Sequence, residues 1–170
     1  MTIFFRARFG AIFGAMQLIP RACRSKRAIV LRWIFAAALA TTAQHGWSAQ
    51  CSLSILGVNF GSYDVFNNVG LDSTGNIGVT CDMDTPYSLS LSPGGGSYAS
   101  RLMADGPNLL GYNLYTEAAR AVIWGDGTGG TGVVSGSGTT GNHTVYGRIS
   151  ARQNVSVGSY SDSITVTVNF

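Results

Sequence analysis

The sequence predicts an all-β sandwich or barrel, and three observations carry that prediction. Apolar residues recur at every second position in short runs, glycine and small polar residues punctuate the runs, and no stretch holds a helical period. The strongest run closes the chain. In Tyr-Ser-Asp-Ser-Ile-Thr-Val-Thr-Val-Asn-Phe, residues 160–170, the apolar Ile164, Val166, Val168 and Phe170 alternate with Ser163, Thr165, Thr167 and Asn169. A final strand with so strong an apolar face raises the question of what pairs with its other edge, because an open edge is a template for another chain.

The chain of 170 residues carries a formal charge of +3, which mixes two different pieces. Residues 1–50 hold seven of the eleven basic residues and no acid, so four arginines (Arg101, Arg120, Arg148, Arg152) face all eight acids in the remainder. An acidic body with scattered arginines has no basic patch to neutralise phosphates, which argues against nucleic-acid binding. Residues 1–49 read as an export signal: a basic cluster Arg24-Ser25-Lys26-Arg27, an apolar run over 28–40 broken only by Arg32, then small residues. That run is too short to span a bilayer, so removal is expected, after Ala43 or after Ala49, and no stable membrane insertion remains. The stretch before Arg21 is longer than a usual signal, and Met16 is an alternative start. Residues 50–170 form the domain. With Cys23 lost, Cys51 and Cys81 are the only pair in an exported chain and are read as a disulfide. A metal or redox pair lacks support, because CxxC spacing is absent and His143 is the only histidine in residues 50–170.

Residues 52–60 open the domain as a strand with Leu53, Leu56, Val58 and Phe60 as apolar positions, and Gly57 marks a bend or bulge. A turn at 61–64 and a loop through Asp72 lead to a second strand over 75–81, where Ile77, Val79 and Cys81 alternate. Two strands each carrying a cysteine suit a bridge between neighbours near one edge. Residues 87–91 alternate again and stop at Ser92-Pro93-Gly94-Gly95-Gly96. Short strands follow at 101–103 and 122–124, a longer one at 109–115, a turn at 116–120, and further strands at 143–149 and 160–170, for about seven in all. Tyr160, two positions before Asp162, suggests a tyrosine corner.

Sites of chemistry are absent from this pattern. Gly127-Thr128-Gly129-Gly130-Thr131-Gly132 satisfies GxGxxG, but the following Val133-Val134-Ser135-Gly136 cannot sustain the helix a dinucleotide site needs, so it reads as a hairpin loop. Asp126 alone falls far short of a calcium shell. His143 has no GxSxG nearby, and Asp82 and Asp84 read as a solvated turn before Pro86 rather than as a glycosidase pair. Tyr112, Tyr115, Trp124 and Tyr146 suit the core or cross-strand pairs better than a sugar-binding face. Neither a catalytic set, a metal site nor a cofactor site is expected, and the protein reads as non-enzymatic.

Several stretches together resemble the spore coat protein U domain family, which includes subunits of archaic chaperone-usher pili. They are Cys51-Ser52-Leu53-Ser54 with Val58-Asn59-Phe60-Gly61-Ser62-Tyr63-Asp64; Ile77-Gly78-Val79-Thr80-Cys81; Tyr112-Asn113-Leu114-Tyr115-Thr116-Glu117-Ala118-Ala119-Arg120; Trp124-Gly125-Asp126-Gly127-Thr128-Gly129-Gly130; Val145-Tyr146-Gly147-Arg148-Ile149; and 158–168. The resemblance implies an immunoglobulin-like sandwich lacking its last strand, with an open groove beside the C-terminal strand lined by Ile164, Val166, Val168 and Phe170. It implies a periplasmic chaperone that lends a strand to that groove and holds the terminal carboxylate with basic residues, an outer-membrane usher, and other pilus subunits that replace the chaperone's strand by β-augmentation. The location implied is the periplasm in transit and then the cell surface, with adhesion and biofilm as the setting. At most seven residues separate the cleavage candidates from Cys51, fewer than a donor strand needs, so the chain is expected to accept a strand without giving one, as a tip subunit does. The alternative is a self-complete secreted coat or surface-binding domain, carbohydrate included, in which an internal segment such as 128–141 folds over the edge.

Overall fold

The computed structural model describes residues 1–10 and 49–170, which belong to one compact unit. Met16, Cys23, the apolar run over 28–40 and the candidate cleavage point after Ala43 lie outside the described residues. Nine strands form: β1 (Thr2–Gly10), β2 (Cys51–Leu56), β3 (Leu71–Cys81), β4 (Tyr87–Leu91), β5 (Arg101–Asp105), β6 (Asn108–Tyr115), β7 (Val134–Gly136), β8 (Thr140–Ile149) and β9 (Ser161–Asn169). No helix is present among the described residues, and so none there is long and apolar enough to cross a membrane.

The hydrogen-bonded order is β2-β3-β8-β6-β5-β9-β4-β7, with β1 on the free side of β9. All pairs are antiparallel except β1 with β9. β5 touches β9 through one pair only, Ala104 with Ser161, so the path turns there from one layer into the other. The alternation seen in the sequence sets the inward faces: Ile77, Val79, Leu110, Leu114, Val145 and Ile149 from the first layer meet Leu89, Leu91, Ile164, Val166 and Val168 from the second in one buried cluster. This is an immunoglobulin-like sandwich of nine strands against the seven or so expected: β1 and β7 are added, while the short strand expected at 122–124 reduces to isolated bridges, Ile123 with Tyr115 and Trp124 with Gly132.

The two additions have separate causes. β7 lies within the glycine-rich stretch 128–141, where no strand was expected, and it pairs with β4, Tyr87 opposite Gly136 and Leu89 opposite Val134. Gly136 and Gly141 both lie against the Tyr87 side chain, where a Cβ would collide, so glycine here admits the ring of Tyr87. The segment 128–141 therefore lies on β4 and does not fold over the edge of β9. That edge is taken by β1, which the sequence reading had placed within the leader.

β3 begins at Leu71, four residues before the expected start, because Asp72 and Arg148 face each other across the β3–β8 ladder. The guanidinium donates from Nε at 2.6 Å and from a second nitrogen at 2.8 Å to the two carboxylate oxygens. This bidentate pair, joined by Arg120 at 3.3 Å, holds the Asp72 carboxyl below its ordinary pKa, the bond from Arg148 being the main cause.

Among the described residues one charged side chain is wholly buried. Arg101, with no exposed surface, donates to the carbonyl of Ser92 at 3.0 Å, to the carbonyl of Trp124 at 2.6 Å and to Oδ1 of Asn113 at 2.6 Å. Asn113 passes its own amide hydrogens to the carbonyl oxygens of Tyr98 and Ala99, and the Trp124 indole donates to the Leu89 carbonyl at 3.0 Å. Burial lowers the Arg101 pKa from its ordinary value, yet guanidinium stays charged because its starting value is so high. The cation thus ties the end of β4, strand β6 and the Trp124 segment into one frame, with backbone dipoles in place of a counter-ion.

Candidate functional site: the edge of the C-terminal strand

β9 owes its place to its composition. Its β-branched and aliphatic residues at 164, 166 and 168 have no exposed surface, while Phe170 packs against the core half-buried. The strand starts at a fixed corner: Tyr160, itself buried, donates its hydroxyl hydrogen to the Ser156 carbonyl at 2.8 Å, as a tyrosine corner does. Next to it, the Asp162 carboxylate accepts the Tyr112 hydroxyl at 2.6 Å and the Gly95 amide at 3.1 Å. Burial and that carboxylate together push the Tyr112 hydroxyl far above the ordinary tyrosine pKa, burial contributing most. On one side β9 pairs with β4, from Ser88 opposite Asn169 to Leu91 opposite Val166.

The other side of β9 faces a slot whose far wall is residues 58–60. β2 ends at Leu56, and beyond Gly57 the chain leaves β3 and crosses toward β9. The crossing is fixed by Ser73, which donates to the Asn59 carbonyl at 2.6 Å, and by Gly147, where a Cβ would fall 2.7 Å from the Phe60 ring. Val58 and Phe60 consequently point into the core.

β1 fills the slot. It runs parallel to β9 in unbroken register from Thr2 opposite Ser161 to Gly10 opposite Asn169. At its start it also bonds the far wall: the Ile3 amide donates to the Val58 carbonyl and the Phe60 amide to the Met1 carbonyl, each at 3.0 Å. Ile3 is fully buried, which contributes on the order of 1.5–3 kcal/mol. Phe5 packs half-buried on the core, Phe4 is 59% exposed on the opposite face, and Ala7 is exposed. The grip on β1 therefore weakens along its length. A Cβ at Gly57 would collide with the carbonyl oxygen of Ile3, so the missing side chain there is what lets the two backbones approach.

The remaining sequence candidates fall as follows. Cys51 and Cys81 are partners in the β2–β3 register, 4.0 Å apart at Cα, and form a disulfide. Tyr112 and Trp124 are core residues and leave no aromatic surface, while Tyr115 and Tyr146 are half-buried. Asp126 accepts from the amide and hydroxyl of Thr128, an exposed turn within the glycine-rich loop. His143 pairs with the Tyr87 hydroxyl at 2.9 Å. Among the described residues no cluster of three or more potential metal ligands occurs. The sequence reading missed β1, although its signal was there: in Thr-Ile-Phe-Phe-Arg-Ala-Arg-Phe, residues 2–9, Ile3, Phe5, Ala7 and Phe9 alternate with Thr2, Phe4, Arg6 and Arg8.

The geometry defines the class: an all-β, immunoglobulin-like sandwich whose last edge is completed by a strand from outside the contiguous domain. The Spore Coat Protein U domain matches residues 37–167, and the chain belongs to that family. It is 34% identical over 128 residues to Protein U of Myxococcus xanthus, covering 66% of this chain and 71% of that protein. Among solved structures it is similar to the CsuC-CsuE chaperone-tip adhesion subunit pre-assembly complex from archaic chaperone-usher Csu pili of Acinetobacter baumannii, with a TM-score of 0.53 and 24% identity. That match covers 72% of this chain and 40% of the other, so the chain spans less than half of the matched one. The E. coli Hda pilus minor tip subunit HdaB matches at a TM-score of 0.36 and 19% identity over 70% of this chain and 79% of that one, too distant to add to the fold assignment.

Proposed function

We propose that this protein is an exported, non-enzymatic structural or adhesive subunit of a chaperone-usher-type surface fibre, and that the slot between β9 and residues 58–60 is where it accepts a donor strand. The single observation that carries this reading is that residues 49–170 leave one strand position empty, flanked on both sides by backbone hydrogen-bonding groups, and that a separate segment fills it. In that role Ile164, Val166, Val168 and Phe170 line the floor, and backbone bonding supplies affinity while alternate pockets supply specificity. A periplasmic chaperone would occupy the slot first, an usher would exchange it at the outer membrane, and another subunit would follow. Residues 1–49 act as the export signal in this reading, cut after Ala43 or Ala49. The few residues then left before Cys51 make this a strand acceptor at the fibre tip.

The test is production of the chain in an oxidising compartment with and without a cognate chaperone. Mature protein that is soluble only in a one-to-one complex supports the reading. Mature protein that is a stable monomer by itself contradicts it, and mature protein that polymerises unaided with its N-terminus in a neighbour contradicts the tip position. A second reading, a self-complete secreted coat domain, is favoured by the occupancy of the slot by the chain's own β1.

A further inference from the structure

We infer that Thr2–Gly10 is an internal plug: while the chain retains this segment its strand-accepting slot is occupied from within, and loss of the leader opens the slot. This rests on the proposed acceptor role and adds to it a control built into the same chain. Three independent features fit β1 to the slot. Its alternation presents Ile3 and Phe5 at the register positions of the inward-facing Asp162 and Ile164, so its period matches the pleat of β9. Gly57 supplies the gap its backbone needs. Its charges, Arg6 and Arg8 with no acid, oppose those of an acidic domain, and Arg8 shares a surface hollow with Asp126.

Connection to the domain poses no obstacle, because the 38 residues between Gly10 and Ala49 reach on the order of 100 Å when extended, several times the length of any strand here. A tethered strand competes at high effective concentration. A free strand of similar fit therefore cannot displace it until the tether is cut, and both expected cleavage points lie between β1 and the domain.

The experiment uses the oxidised full chain of 170 residues and a fluorescent synthetic peptide with the sequence of residues 2–10. The wild-type chain is expected to take up no peptide and to protect the amides of Ile164, Val166 and Val168, which alternate with those turned toward β4, from hydrogen exchange. Ile3→Asp, which puts a charge at the buried anchor, and Gly57→Ala, which blocks the backbone approach, are each expected to speed that exchange by about 100-fold or more. Ile3→Asp should also bind the peptide in a one-to-one ratio. Because a chain with an open slot can aggregate, a second measurement leaves the slot filled. In a Cys23→Ser background, Phe4→Cys with Ser163→Cys, outward-facing register partners, should form a disulfide within the monomer. Phe4→Cys with Thr167→Cys, out of register, should not.

Absence of the in-register cross-link overturns the plug. So does peptide uptake by the wild-type chain equal to that of Ile3→Asp, an outcome that leaves the acceptor role standing. Protection of Ile164, Val166 and Val168 in every variant with no uptake by any overturns both.

Discussion

Two strands of the sandwich, β2 and β1, are held in opposite ways. β2 lies antiparallel to β3, its partner follows it closely in the chain, and a disulfide between Cys51 and Cys81 closes its first register pair. β1 lies parallel to β9, comes from far along the chain, and depends on Ile3 at one end with its hold fading toward Ala7. The first edge is part of the domain under any condition that keeps the disulfide. The second is a position filled by a segment from outside the contiguous domain, and its occupancy changes if that segment acts as a plug. The contrast separates the elements that define the domain from the element that completes it.

The comparison breaks most severely if the fixed frame fails. Arg101→Met removes the cation, strands the Trp124 and Ser92 carbonyls, and leaves the Asn113 amide oxygen with the Leu114 amide as its remaining donor. A loss of about 3–5 kcal/mol is expected, within the range for breaking a buried charged network. Denaturant unfolding checks this, and the loss should be the same in the wild-type and Ile3→Asp backgrounds, because Arg101 holds β4 and β6 rather than the β1 slot. A loss that vanishes when β1 is unseated would show that frame and slot are one cooperative unit.

Next in size is the covalent edge. Cys51→Ser with Cys81→Ser opens a loop with a sequence separation of 30 residues, and a loss of roughly 3–4 kcal/mol is expected from the chain-entropy account. Unfolding curves with and without reductant measure it. Peptide uptake at β9 should remain as it is in the parent protein, since β2 and β9 share no ladder.

The sequence displays much of the fixed frame and little of the filled slot, and the reason is physical. Alternation over β4, β6, β8 and β9 is strong because one face of each is buried, so those strands and the inward positions Ile164, Val166 and Val168 could be read directly. The Cys51–Cys81 pairing followed from export and count. Tyr160 showed its corner through spacing alone. In the sequence Arg101 is one of four scattered arginines and nothing marks it as buried, because its burial depends on carbonyls contributed by Ser92 and Trp124, contacts that have no periodicity. β1 escaped because a basic, apolar N-terminal stretch also fits a leader, and the two readings share a composition. What distinguishes them is the alternation of Ile3, Phe5, Ala7 and Phe9, which a leader does not require.

A smaller change sharpens the contrast at the root of β9. Tyr160→Phe removes the hydroxyl bond to Ser156 while keeping the buried ring, and a net loss of about 1 kcal/mol is expected. The Tyr160 carbonyl also accepts the Thr2 amide at 3.4 Å, so loosening the corner should raise amide exchange at the start of β1 before it affects β2. Equal effects at both edges would contradict the separation drawn above.

The smallest effect is a pH dependence that belongs to the frame alone. His143 in β8 meets Tyr87 in β4 across the two layers, and burial lowers its pKa from the ordinary 6.5. The unfolded chain therefore takes up a proton near pH 6.5 that the folded chain still refuses. Stability is full above that value and declines as the pH falls from it toward the lower folded pKa. Asp72, depressed from 3.8 by Arg148, loses its contribution only as the pH falls through more acidic values, so a series from pH 7.5 to 5 isolates the histidine. The midpoint of denaturation should drop across that series in the wild-type chain, and less in His143→Gln. If occupancy of the slot is independent of the frame, peptide uptake by Ile3→Asp stays constant over the same range. A parallel fall in uptake would mean that the contact between the layers at Tyr87 and His143 also sets the width of the slot beside β9.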